Sequence, residues 1–189
     1  MKSNYLNIDG LNALVCGSTA GIGKATALEF ARLGVNVTLF ARSEQKLKST
    51  LSQLHKTSRQ KHQYLIGNFD DINDIKKILN KHIRDGYKYH ILINNSGGPK
   101  QGPIINAKTS DFLKTFNRHL LCNHLIFKKL FSGMKELNYG RIINIISTSV
   151  KEPIPGLGVS NTIRAAVSAW AKTLSKEVGD YGITVNNIL

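Results

Sequence analysis

Short apolar runs alternate with stretches of helical spacing along the whole chain. "ALVCG" (Ala13 to Gly17) is a continuous apolar run ending in glycine, and "KATALEFARLG" (Lys24 to Gly34) repeats its apolar residues at helical spacing before a glycine stop. This reads as strand, turn, helix. "VNVTLFAR" (Val35 to Arg42) is β-branched and alternating, and the helix "SEQKLKSTLSQLHK" follows it with Ser43 as N-cap. "HQYLIGNF" predicts a third strand, "DINDIKKILNKHIRDG" a third helix and "HILINNSGG" a fourth strand. A long helix is predicted from near Ser110, then a fifth strand "GRIINIIS", a loop from Thr148 to about Val159, a helix from Asn161 and a sixth strand "ITVNNIL".

Strands that alternate with helices, and that are apolar on both faces, predict a doubly wound α/β fold with a parallel sheet. Right-handed crossovers in such folds put every strand-to-helix turn on one edge of the sheet, where ligands bind. Functional residues are therefore sought at strand C-termini.

Composition narrows the class. At 189 residues, with 41% hydrophobic and 20% charged residues and no repeat or low-complexity run, the chain reads as a single domain over 1–189. "IINII" from Ile142 falls far short of the roughly 20 apolar residues of a membrane span, and "MKSNYLNIDG" lacks the apolar core of a secretion signal. A soluble, cytoplasmic protein is expected. Cys16 and Cys122 have no CxxC spacing, which argues against a disulfide framework and against a zinc site. The net charge of +14 attracts anions, but the basic residues fall on the outer faces of amphipathic helices and no aromatic residues alternate with them. They read as solvated surface that helps to draw in a phosphate-bearing cofactor, not as a specific nucleic-acid site.

The first strand-helix turn carries the main chemical signal, "CGSTAGIGKAT". A P-loop is excluded because Ser18 stands where its first glycine belongs and Ala25 where its metal-binding hydroxyl belongs. GxGxxG is excluded by Thr19. What remains is Gly17-x-x-x-Gly21-x-Gly23, whose glycines allow a tight turn and close approach of a pyrophosphate to backbone N–H groups at a helix N-terminus.

"GSTAGIG", "NNSGG" and "GRIINIIS", in this order and on these elements, resemble the short-chain dehydrogenase/reductase family, most closely its β-ketoacyl-acyl carrier protein reductase-like branch, from Gly10 to Leu189. The resemblance implies a three-layer Rossmann fold with a mainly parallel sheet, and hydride transfer between NAD(P)H and a carbonyl or alcohol substrate. It implies that Gly17, Ser18, Thr19, Gly21, Ile22 and Gly23 surround the pyrophosphate, that Asn95, Ser96 and Gly97 lie along the adenosine, and that Asn68, with Phe69 beside it, meets the adenine. It also implies self-association through the two long helices, Ser110 to Leu137 and Asn161 to Gly179. An acid at the end of the second strand hydrogen-bonds the ribose of NAD and repels a 2′-phosphate. Here that place reads "FARS": Ala41 does neither, and Arg42 pairs with a 2′-phosphate to which Ser43 can donate, so NADP(H) is favoured over NAD(H).

Against the family's catalytic set, Ser147 matches the serine. The tyrosine position holds Ser160, the lysine position Arg164 and the asparagine position His119. Serine is a far weaker acid than a lysine-assisted tyrosine, and arginine does not titrate near neutrality. His119 is then the candidate proton donor, with an ordinary pKa of about 6.5, while Ser147 and Ser160 orient the carbonyl. The alternative is a histidine that only satisfies backbone groups. The chain also stops after the sixth strand, where family members continue into a substrate-covering segment, so either a truncated or fragmentary form or a form without the substrate lid is expected. A rival reading is a non-catalytic nucleotide-binding or interaction protein derived from the family.

Overall fold

Residues Ala13 to Cys16 are fully buried, as both faces of a central parallel strand must be. They belong to β1 (Asn12–Cys16), the middle of a six-stranded sheet in the computed structural model, which describes residues 7–189. Residues 1–6 of the stretch read for a leader lie outside the described residues. The other strands are β2 (Asn36–Ala41), β3 (Gln63–Ile66), β4 (Ile91–Asn94), β5 (Gly140–Ile145) and β6 (Ile183–Ile188). Their order is β3-β2-β1-β4-β5-β6, with every pairing parallel.

The helices are α1 (Gly21–Arg32), α2 (Glu44–Leu51), α3 (Ile72–Arg84), α4 (Thr109–Phe116), α5 (Cys122–Glu136) and α6 (Gly158–Val178). The alternation of β1 sorts them into two layers. Ala13 and Val15 pack with Ala27 and Ala31 of α1 and Leu47 of α2 on one face, while Leu14 and Cys16 pack with Ile75 and Leu79 of α3, Ile126 and Leu130 of α5 and Leu174 of α6 on the other. The predicted three-layer, doubly wound architecture is therefore present, and its sheet is wholly parallel.

Element boundaries depart from the sequence reading in instructive places. α1 begins at Gly21 rather than Lys24, so the second and third glycines of the turn lie inside the helix's first turn. α2 ends at Leu51, short of the polar run that was read as its continuation, although Ser43 does cap it by accepting from the Lys46 N–H at 3.4 Å. α6 begins at Gly158, which puts Ser160 in its first turn and Arg164 one turn further along the same face. The predicted long helix runs from α4 into α5 through Asn117–Leu121, which adopts π-helical conformation. Such turns occur often at functional sites.

The strand order reverses between β1 and β4, the first pair to its left continuing to β2 and β3 and the other side to β5 and β6. A crevice opens at the C-terminal ends of strands at such a switch point. Beneath it, an asparagine ladder crosses three strands in register: the Asn94 amide donates to Asn144 Oδ1 at 2.8 Å, and the Asn144 amide to Asn187 Oδ1 at 2.9 Å. Asn94 and Asn144 are both buried.

Candidate functional site

A cavity of about 580 Å³ occupies that crevice. Its floor is the turn after β1, one wall is the exit of β3 and the other the exit of β4. Ten residues expected to meet a cofactor line it: Gly17, Thr19, Gly21, Ile22, Arg42, Asn68, Phe69, Asn95, Ser96 and Gly97.

The turn is shaped by backbone constraints. Gly17 and Gly21 have positive φ, 59° and 50°, where a side chain is strained. Gly23 is buried for a different reason. A Cβ there would stand 2.4 Å from the Gly17 carbonyl oxygen and 2.6 Å from the Asn95 amide nitrogen. That amide donates to the carbonyls of Cys16 and Gly17, both at 3.3 Å, tying the β4 exit to the glycine turn.

Two of the twelve expected cofactor residues, Ser18 and Gly23, do not line the cavity. Ser18 is fully buried and its hydroxyl accepts the Phe40 N–H at 2.9 Å, fastening the turn to β2. Gly23 serves helix-to-turn packing. Sequence reading missed Ala20, Ala41, Asp70, Gly98 and Arg118, which also line the space.

The residues present suit a pyrophosphate-bearing cofactor. α1 has Ala20 as its N-cap, with no side chain bonded to the first-turn N–H groups and no acidic residue in that turn. α2 and α3, by contrast, are capped by Ser43 and Asp71. The open donors and the helix dipole at α1 favour an anion above Gly21. Arg42 is exposed beside this position and has no hydrogen-bond or ion-pair partner among the described residues.

The four residues expected at the catalytic centre lie outside this cavity, beyond the ends of β4 and β5. Ser147 follows β5, is half-buried, and its Oγ accepts the Ser149 N–H at 3.1 Å. Arg164 reaches from α6 to the same strand end, donating from Nη1 to the Ile145 carbonyl at 2.8 Å, and desolvation lowers its pKa somewhat from the ordinary arginine value. Ser160 is half-buried one turn before it.

His119 sits in the π-helical turn at 2% exposure, with Nδ1 2.9 Å from the Ser96 hydroxyl and Nε2 buried without a partner. Burial, then the positive charges of Arg164 and Arg118, push its pKa down to about 3. The ring is neutral at physiological pH. This corrects the expectation of a donor with an ordinary imidazole pKa: His119 holds the β4 exit in place, and the proton of an imidazolium is not available from it.

Comparison with known proteins agrees with this geometry. The family model described as short chain dehydrogenase matches residues 11–189. The chain is 31% identical to an uncharacterized oxidoreductase of Thermotoga maritima, over 97% of this chain and 72% of the relative. It is 30% identical to the 3-oxoacyl-(acyl-carrier-protein) reductase FabG of Rickettsia conorii, over 97% of this chain and 73% of the relative. Among solved structures, YwfH, an NADPH dependent reductase involved in bacilysin biosynthesis, superposes with a TM-score of 0.88 at 28% identity, covering 95% of this chain and 71% of that one. An all-parallel sheet with its switch point beside β1, a glycine turn that opens an uncapped helix, and these likenesses over nearly the whole described length have one common explanation: the chain belongs to the short-chain dehydrogenase/reductase family of nicotinamide-dependent oxidoreductases.

Proposed function

We propose that the chain is an NADP(H)-preferring reductase of carbonyl compounds, with 3-oxoacyl thioesters among the candidate substrates. The observation that carries this reading is the convergence of three features on one cavity: the uncapped N-terminus of α1, the glycine turn and the unpartnered Arg42. Arg42 offers a charge-assisted fork to a ribose 2′-phosphate, and no carboxylate stands at the end of β2 to repel it. The NADPH dependence in the description of YwfH supports the same cofactor choice, and the 3-oxoacyl reductases among the relatives support the substrate class.

A bound nicotinamide supplies the hydride. The chain supplies the electrostatics around the carbonyl oxygen. Ser147 donates a hydrogen bond to it, and Ser160 and Arg164, on one face of α6, stabilise the developing alkoxide with a second hydroxyl and a permanent positive charge. None of these groups titrates near neutrality, so water delivers the proton.

The aromatic groove between α5 and α6, lined by Phe127, Phe131, Trp170 and Tyr181, supports self-association through these helices. A cytoplasmic setting suits the two buried free thiols, and no helix among the described residues is long and apolar enough to cross a membrane.

The replacement of tyrosine and lysine by Ser160 and Arg164 favours a second reading, a nucleotide-binding protein without turnover. Titration with NADPH and NADH, followed by NADPH oxidation against ketones and 3-oxoacyl thioesters, separates the two. Binding with turnover that Ser147→Ala abolishes supports the reductase; binding without turnover supports the second reading. Failure to bind either dinucleotide overturns both.

A further inference from the structure

The cavity is a slot, and one side chain ties its two walls together. Arg118, in the π-helical turn, donates from Nε to Asp70 Oδ1 at 2.6 Å and from Nη2 to Asp70 Oδ2 at 2.7 Å. Its remaining nitrogen, Nη1, donates to the carbonyls of Gly97 at 3.1 Å and Gly98 at 3.4 Å. Asp70 belongs to the β3 exit, where Asn68 and Phe69 form one wall; Gly97 and Gly98 belong to the β4 exit, the other wall. The two side chains are largely buried, at 18% and 22% exposure.

The rest of each wall is already fastened elsewhere. The Asn68 N–H donates to Asp74 Oδ2 at 3.2 Å, and Asp71 caps α3, so the β3 exit is anchored to α3. The β4 exit is anchored to the glycine turn through Asn95 and to the π-helical turn through the Ser96–His119 contact. Arg118 is the side chain that spans from one anchored wall to the other. All three of its nitrogens are engaged, so it is not free to grip a phosphate as Arg42 is.

From this we infer that Arg118 is a positioning residue for the adenosine end of the cofactor, acting through Asp70 and the Gly97–Gly98 carbonyls to fix the width of the slot. The inference rests on the dinucleotide reading of the cavity. An unclamped slot must be ordered at the expense of ligand affinity, whereas the clamped one is ordered beforehand.

The test is calorimetric titration of the unaltered chain, Arg118→Ala, Arg118→Lys, Asp70→Asn and the double variant Asp70→Asn/Arg118→Ala. Three probes are used: NADPH, adenosine 2′,5′-bisphosphate and nicotinamide mononucleotide. Arg118→Ala and Asp70→Asn each weaken NADPH and the bisphosphate by the same factor, about tenfold for the loss of a charge-assisted pair. The double variant is no worse than either single one, and the mononucleotide is unaffected. Amide exchange of the ligand-free Arg118→Ala chain rises at 68–71 and 96–98 while β1 and β4 keep their protection, a result that a general loss of folding does not produce. Asp70→Asn keeps the shape of the pair and serves where Arg118→Ala folds poorly. Tighter binding by Asp70→Asn, undiminished binding by Arg118→Lys, or additive losses in the double variant overturn the role. Absence of binding by the unaltered chain overturns the dinucleotide reading itself, and this role with it.

Discussion

Arg42 and Gly23 show how differently two residues of one motif region earn their places. Arg42 is exposed and unpartnered, so removing it disturbs nothing in the fold. Arg42→Ala is expected to weaken NADPH by about tenfold or more and leave NADH unchanged in parallel fluorescence titrations, the difference being one charge-assisted contact. Gly23→Ala does the reverse. Its new methyl meets the Gly17 carbonyl and the Asn95 amide at well under contact distance, so the variant is expected to lose about 1–3 kcal/mol of stability in denaturant unfolding, even without ligand. The spacing of the glycines was legible because backbone freedom leaves its mark on residue type. Where Ser18 spends its hydroxyl was not, since its partner is a backbone N–H on β2 that any residue supplies. Nor could the histidine's charge state be read from position 119, because burial and two arginines brought close by folding depress its pKa.

Among the elements, the strands and helices were legible from their periods, and their ends were less so. α1 and α6 each start three residues earlier than the patterns suggested, because first-turn residues make no apolar repeat and the glycines at both starts mask the boundary. The π-helical turn left no trace in the pattern at all. Five residues, Asn117–Leu121, take the wider winding within one continuous helical run, and what the turn accomplishes, bringing Arg118 and His119 together onto the β4 exit, depends on loops distant in sequence. The asparagine ladder makes a testable claim about the strands that carry the site. Asn144→Ala strands the Asn94 amide and the Asn187 carbonyl oxygen in or beside the core. The expected cost is about 1–3 kcal/mol for each buried group left unpaired, read from the midpoint of urea unfolding.

For the whole molecule, the two-sided core and the clustering of strand ends were legible in the alternation of elements, whereas the slot and its clamp were not. Acid sensitivity is a property of this scale. His62, His82, His90 and His119 all have pKa values lowered chiefly by burial, His119 the furthest. The folded state therefore favours the neutral rings: their contribution is fully present above the ordinary value of about 6.5 and is lost as pH falls below it, for His119 down to about 3. Tm is expected to fall between pH 7 and pH 4, and His119→Asn to flatten that fall. The proposed self-association has its own test. Trp170→Glu puts a charge into the aromatic groove of α5 and α6 and is expected to shift the mass in light scattering toward the monomer without altering NADPH affinity.

The place of β1 at the centre of the sheet also governs the order in which the molecule can be made. It precedes the other described strands along the chain, yet one of its hydrogen-bonding edges is completed only by β4, residues 91–94. Until then β1, β2 and β3 form at best a half-sheet whose outer strand, β1, leaves the edge along Ala13 to Cys16 unpaired. Assembly through such distant parallel pairings is slow, and the half-sheet is the species most exposed to aggregation. Faster or colder synthesis and the presence of a holding chaperone should then change the yield of folded chain more than any substitution on its surface.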